Sequence, residues 1–366
     1  MKAARFLVIS LMVLSVSACP TQPQSAGDYS ARRVLPSLAG SGDPWPALTK
    51  SRLQMMLAMH EGLNIQQIAD AFNLSGVELR DEVQPLIEAS LVQMKNGRYV
   101  PSVLVADAEE AQKVYENSRE LGLTLASSLI AEWDTLEDAF SILSISDSTS
   151  LKEQGFMLVG SRILDIGVLE ELALDRSLLR PAPSRPSPDR PNARFYFWVV
   201  EGDPVYLGKY GQDDTTLRWP EWHVLNFGQT IIDGELNQAR RDFEDRIKAV
   251  VDSESTADPV EIAEELEIYF MDENESETWH KITKEISGKL HKILLDNKSD
   301  IEDFYQTLKA SQYSEDSFGE FYCWYYHLVY VWAIDALAES EMIEVPADRF
   351  SGIVLHREGP EAILVS

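Results

Sequence analysis

Glu320, Cys323 and His327 stand three and four residues apart, a spacing that lines side chains along one helical face. A thiol beside an imidazole can bind a metal or act as a nucleophile with its base. The same run, Phe318 to Trp332, holds eight aromatic residues in fifteen. A helix so apolar all round belongs at the centre of a fold, so a packed thiol and histidine are expected rather than a site. His280 and His291 share a helix face but lie eleven residues apart, too far along it at about 1.5 Å rise per residue to hold one metal. "DENESE", Asp272 to Glu277, has the acidity of a calcium loop, yet Glu277 occupies the glycine position and Thr283 the closing carboxylate position. HExxH, CxxC, Walker, GxGxxG and GxSxG patterns do not occur. No catalytic residue, metal or cofactor is assigned.

Ligand recognition is better sought in "ARFYFWVVEGDPVYLGKYG" and the following "RWPEWH". Arg194 to Val200 and Pro204 to Tyr210 flank "EGD" as a predicted hairpin. Trp198, Tyr206, Tyr210, Trp219, Trp222 and His223 are its candidate binding residues, with Arg194, Lys209 and Arg218 nearby. Rings beside a few charges suit sugars, peptides or a protein partner. Alternation along a strand turns half of these rings inward, so core packing explains much of the cluster.

The elements that must position these residues are mainly helical. Apolar residues recur at three and four residue spacings over 107–141, 151–179, 260–271, 276–295, 300–310 and 317–339. Trp279, Ile282, Ile286, Leu290 and Ile293 form one such stripe. Strands are few, and "EGPE" between Ile353–Arg357 and Ala362–Val365 predicts a terminal hairpin. The expected class is mainly α with small β-hairpins (α+β). "RPAPSRPSPDRP", Arg180 to Pro191, has five prolines in twelve residues and reads as an extended linker or a pinned loop, with a domain boundary near it. "DSESTADP", Asp252 to Pro259, is a further break.

At the start, Lys2 and Arg5 precede an apolar stretch, Phe6 to Val16, too short to span a bilayer. It ends in Val16-Ser17-Ala18-Cys19, which resembles the lipobox of bacterial lipoproteins. The resemblance implies cleavage before Cys19, a diacylglycerol on its thiol, and a place in the cell envelope, on the periplasmic or extracytoplasmic face. Each buried methylene of such a lipid adds about 0.8 kcal/mol of membrane affinity. With Cys19 modified, Cys323 has no partner for an intramolecular disulfide. Residues 20–46, rich in Pro, Ser, Gly and Gln, read as a flexible tether.

Ser51 to His60, Ile65 to Asn73 and Gly76 to Val92 then read as three helices, and Met94 to Val105 as a hairpin turning at Asn96-Gly97. Residues 64–105 resemble the winged helix-turn-helix domains of bacterial regulators of the ArsR and MarR type. The resemblance implies a third helix that enters the DNA major groove. Here that face carries Glu78, Asp81 and Glu82 against a lone Arg80, and Pro85 falls inside the helix. From Lys50 to Val100 five basic residues meet six acidic ones. The whole chain carries −28, and −30 without Lys2 and Arg5, a field that repels nucleic acid.

The division expected is therefore signal 1–18, tether 19–46, winged helix 47–106, helical region 107–179, Pro-rich linker or loop 180–193, and a mainly helical domain 194–366. The expected function is that of a lipid-anchored envelope protein, bound to the membrane through Cys19, whose modules bind protein. The alternatives are an envelope hydrolase on glycan or peptide near Trp222-His223, and a DNA-binding regulator should the signal reading be wrong.

Overall fold

The computed structural model describes residues 28–187, 189–232, 235–252, 257–313 and 317–357. The signal, Cys19, the start of the tether and the second arm of the terminal hairpin lie outside them. The described chain is mainly helical with small sheets.

It opens with β1 (Val34–Gly40), followed by α1 (Lys50–His60), α2 (Ile65–Ala71) and α3 (Gly76–Glu88). Each of these helices starts where an oxygen-bearing side chain takes an orphan amide: Thr49 accepts from Arg52, and Asn64 and Ser75 form capping boxes with Gln67 and Glu78. The ribbon of β2 (Val92–Lys95) and β3 (Arg98–Pro101) turns at Asn96 and Gly97, both at positive φ (53° and 73°). β4 (Leu104–Ala106) leads into α4 (Ala108–Ala131), α5 (Trp133–Phe140) and α6 (Leu151–Gly155). A twelve-residue π-helix, Phe156–Gly167, runs directly from α6 into α7 (Val168–Asp175). Next come β5 (Phe195–Glu201), β6 (Tyr210–Thr216), β7 (Trp222–Gln229), the short β8 (Ile231–Ile232) and β9 (Glu235–Leu236), α8 (Gln238–Asp252), α9 (Pro259–Leu266) and β10 (Tyr269–Met271). The last elements are α10 (Glu273–Asp296), α11 (Lys298–Gln306), α12 (Ala310–Tyr313), α13 (Ser317–Glu339) and β11 (Phe350–His356).

Two sheets divide the interior into three cores. In the first, β5 lies between antiparallel β1 and parallel β4, and all seven of its residues are buried. Its alternation sends Phe195, Phe197 and Val199 toward α1–α3, and Tyr196, Trp198 and Val200 into the central helical core. The second sheet, ordered β10-β11-β7-β6, turns Leu225, Phe227, Ile353 and Leu355 into that same central core. Its other face sets Val224 and Val354 against Phe243, Ile247 and Ile262 of α8 and α9. The result is helices, sheet, helices, sheet, helices.

Several expectations change here. The segment read as a tether is packed from Asp28 onward: Tyr29 stacks on Phe72, Arg32 bridges Glu61 and Glu201 at 2.5 Å each, and β1 joins the first sheet. The Pro-rich segment is no domain boundary, because the strand that follows it completes a sheet with β1 and β4. Residues 194–366 are therefore not a separate unit. The predicted hairpin around "EGD" does not pair. Pro204 lacks an N–H and Asp203 accepts from Val205 (3.0 Å), so 204–207 closes as a 3-10 turn and β6 pairs with β7 instead. β11 lies between β10 and β7, and the second arm expected for the terminal hairpin falls outside the described residues.

At the centre runs α13, nearly all buried, as its composition predicts. Its Trp324 donates to Tyr206 O (2.6 Å), Tyr330 to Tyr210 O (2.6 Å) and Tyr325 to Asn117 (3.0 Å), so its polar tips tie neighbouring elements. Glu320, wholly buried, pairs with Arg185 of the Pro-rich strap (2.6 Å) and accepts from the backbone N–H of Leu104 (2.7 Å) and Phe197 (3.3 Å). Burial pushes its carboxyl up to about 7, against the pull of Arg185 and the two amides. Arg185 in turn donates to Phe195 O (2.7 Å) and Ser102 O (3.0 Å). Removing one partner of such a pair leaves a buried charge alone, so Glu320→Ala is expected to lower the unfolding free energy by about 3–5 kcal/mol. A second substitution, Arg185→Met, recovers only part of this, because the Leu104 and Phe197 amides still lack an acceptor. Urea unfolding of the two variants checks both statements.

Candidate functional site

One edge strand of each sheet, β1 and β6, lines a cleft of about 1610 Å³, closed by the π-helix, the start of α10 and His327 of α13. Its β1 wall is unusual. Gly202 N donates to Arg33 O (2.9 Å) and Ser41 N to Arg194 O (3.0 Å), so the odd-numbered residues of β1 bond β5. The amides of Val34, Leu38 and Gly40 point the other way and take no hydrogen bond among the described residues, and Pro36 has no N–H. Residues 36–40 lie against the cleft, beside Trp45, which is 46% exposed.

The π-helix supplies the charged floor. Its wide turns are clamped at the carbonyls: Trp279 donates to Leu158 O (3.3 Å), Ser287 to Ile163 O (3.3 Å), and Tyr326 to Leu164 O. Such helices recur at functional sites. Arg162 and Asp165 lie on it, 5% and 3% exposed, and both line the cleft. Arg162 Nη1 is buried without a hydrogen-bond partner. Burial lowers this guanidinium to about 10, so it stays charged at neutral pH. Glu170 and Asp214, the carboxylates whose charge acts on it, are held by Arg357, which sits 3.7 Å from Glu170 and pairs directly with Asp214. Burial also pushes the Asp165 carboxyl up to about 7, opposed by the charge of Arg240. His327 is neutral, pushed down to about 4 by burial. Its Nδ1 donates to Cys323 O (2.7 Å), which leaves Nε2 as an acceptor.

The residues singled out from sequence do not converge. Of the six aromatic-region candidates only Tyr210 lines the cleft. Trp198 is buried in the central core, and Tyr206 packs at its margin. Trp219 and Trp222 cover the α8–α9 core, with Trp222 stacked on Phe270 (5.0 Å). His223 is buried with both ring nitrogens engaged, by Asp214 (2.9 Å) and Pro220 O (3.1 Å). Glu320, Cys323 and His327 share a helix but serve three places, with the Cys323 thiol pushed up by burial. His280 lines the cleft, whereas His291 lies near Asp175 (3.4 Å). Arg162 and Asp165 were missed. Their signal is two charges inside the otherwise apolar "FMLVGSRILDIG".

His60, Asp107 and Glu110 bring possible metal-ligand atoms within 4.8 Å of one another. Their lone pairs are already used: His60 meets Glu110 (2.5 Å) and Tyr313 (2.8 Å), Lys309 N donates to Glu110 (2.7 Å), and Lys309 Nζ pairs with Asp107. This cluster joins α1 to α4 and α12 and reads as a structural tie.

Comparison of the sequence with protein-family models and with curated proteins, and of the fold with solved structures, finds no match.

Asp165 binds a proton in the folded chain up to about pH 7 but in the unfolded chain only to about 3.8. Stability from this group therefore falls as pH rises between those values and is level above. Asp165→Asn is expected to flatten that fall and to raise stability at pH 8 by a few kcal/mol, at about 1.4 kcal/mol for each tenfold change in proton affinity. Paired unfolding curves at pH 5 and pH 8 measure the difference.

Proposed function

We propose that this chain is a lipid-anchored cell-envelope protein that captures an extended segment of a partner protein in its cleft. The observation that carries the reading is the unpaired outer edge of β1 lying along a large concave site. An extended peptide can add to such an edge through main-chain hydrogen bonds, with neighbouring pockets reading its side chains. Trp45 and Leu38 offer apolar surface beside that edge. Glycan recognition has no equivalent use for a row of backbone groups at strand spacing. The hydrolase centred on His223 loses its base, since neither imidazole nitrogen is free.

Residues 47–106 are read as a winged-helix scaffold kept for packing. The order of three capped helices followed by a tight ribbon supports this, and so does the burial of Leu79, Val83 and Leu86 on the inner side of α3. Glu78, Arg80 and Asp81 stay exposed on its outer side, a poor surface for phosphate. Membrane attachment rests on the lipobox resemblance at Cys19.

Two measurements test the proposal. Metabolic labelling with a radioactive fatty acid is expected to mark the wild type and not Cys19→Ala, and an unlabelled wild type removes the anchor. Decapeptides selected against the mature chain are expected to lose at least tenfold in affinity for Leu38→Pro, which deletes an outward amide without touching the β5 ladder. N-methylation of alternate peptide amides is expected to abolish binding to the unaltered protein. Binders indifferent to N-methylation would exclude strand addition.

A further inference from the structure

We infer that Arg162 forms a subsite for a ligand carboxylate at the floor of the cleft. The inference rests on the reading of the cleft as a capture site and names the chemical group that its charged floor would take. Three observations lead to it. The residue is only 5% exposed, its Nη1 has no hydrogen-bond partner, and it lines the cavity. A buried guanidinium without a fixed partner is unfavourable in the empty protein, and an incoming oxyanion corrects this by supplying both charge and acceptors.

The surroundings select among anions. Four groups act on Arg162 or share its field: the guanidinium of Arg357, the imidazole of His280, and the carboxylates of Glu170 and Asp214. Burial, and then the nearby Arg162 charge among others, holds His280 below its ordinary value, which disfavours its protonation. Arg357 is already engaged with Glu170 and Asp214. Within this group the uncommitted positive charge is therefore that of Arg162, flanked by two carboxylates that repel any second negative charge. A monoanionic, planar carboxylate fits the guanidinium fork, while a phosphate dianion meets net repulsion. In a cleft with a free strand edge, this group would be the terminal carboxylate of a peptide or an acidic side chain.

The test uses the full mature chain with N-acetylglycine as probe, N-acetylglycinamide as its neutral control, and inorganic phosphate, all at matched ionic strength. Wild-type protein is expected to show a saturable rise in Tm with N-acetylglycine and none with the amide. Arg162→Met is expected to weaken the response at least tenfold and to leave the ligand-free Tm equal or higher, since it removes an unpaired buried charge. A lowered ligand-free Tm in Arg162→Met, with an unchanged response to the probe, would overturn the subsite and make the guanidinium structural. An equal response to acid and amide overturns it without any variant, and saturation by phosphate at lower concentration than N-acetylglycine overturns the carboxylate assignment. Should Arg162→Met fail to fold, Arg162→Gln carries the same comparison. Because the probe is too short to form a strand, loss of this response leaves peptide addition at β1 standing, and failure of strand addition leaves this response standing.

Discussion

Everything on the inner side of the first sheet depends on one buried carboxylate. β5 is covered on both faces, so the strap that precedes it and the strand beside it must settle their polar groups without water. Glu320 supplies the acceptor. It takes amides from β4 and β5 and the guanidinium of Arg185, and Arg185 passes the same connection on to the carbonyls of Phe195 and Ser102. Segments of distant sequence thus meet at one charge pair. In a low-dielectric interior such a node is costly when broken and indifferent when whole, so its value lies in fixing which segments are adjacent. The prolines of the strap complement it, because a segment with few N–H groups leaves few to satisfy.

The same logic binds the N-terminal unit to the rest. The His60–Glu110 contact carries α1 onto α4, and Lys309 and Tyr313 extend it to the helices before α13. Burial pushes the carboxyls of Glu110 and Asp107 up, but the bonds from His60 and Lys309 outweigh it and hold both below their ordinary values. Their contribution is complete above 4.5 and 3.8 and is lost as pH falls through the lowered values, opposite in direction to that of Asp165 and Glu320. With α13 between the sheets and these ties at one end, the sheets keep a fixed relation, and the edge strands β1 and β6 can border a single cavity.

Much of the helical frame was legible because its signals are local. The Asn96-Gly97 turn and the Trp279-to-Leu290 stripe are such signals, and the capping boxes at Asn64, Ser75, Asp107 and Asp272 are equally local though the sequence reading passed over them. The sheets were less legible. β1, "VLPSLAG", has the composition of a linker and becomes a strand only because β5, far along the chain, pairs with it. β6, "YGQDDTT", is polar for the same reason that it lines a cleft. The aromatic cluster misled because rings buried on both faces of a sheet look, in one dimension, like rings gathered for binding. β5 packs two cores with alternate residues, and neither set is free.

The site itself was hidden by the regularity around it. Leucine spacing in 151–179 fits an ordinary helix, and an ordinary helix would close its carbonyls on amides four residues on. The π-helix closes on amides five residues on, and three of its carbonyls also accept from Trp279, Ser287 and Tyr326, side chains of α10 and α13 that no local pattern couples to this segment. Those bonds compensate for the looser winding, and the winding sets where Arg162 and Asp165 emerge. Gly167 makes the clamp possible: a Cβ there would collide with Ser287 and Thr283. A guanidinium nitrogen without a hydrogen-bond partner and an acid near neutrality are costly as packing alone, which leucine serves better, and that cost is what the proposed carboxylate subsite would offset.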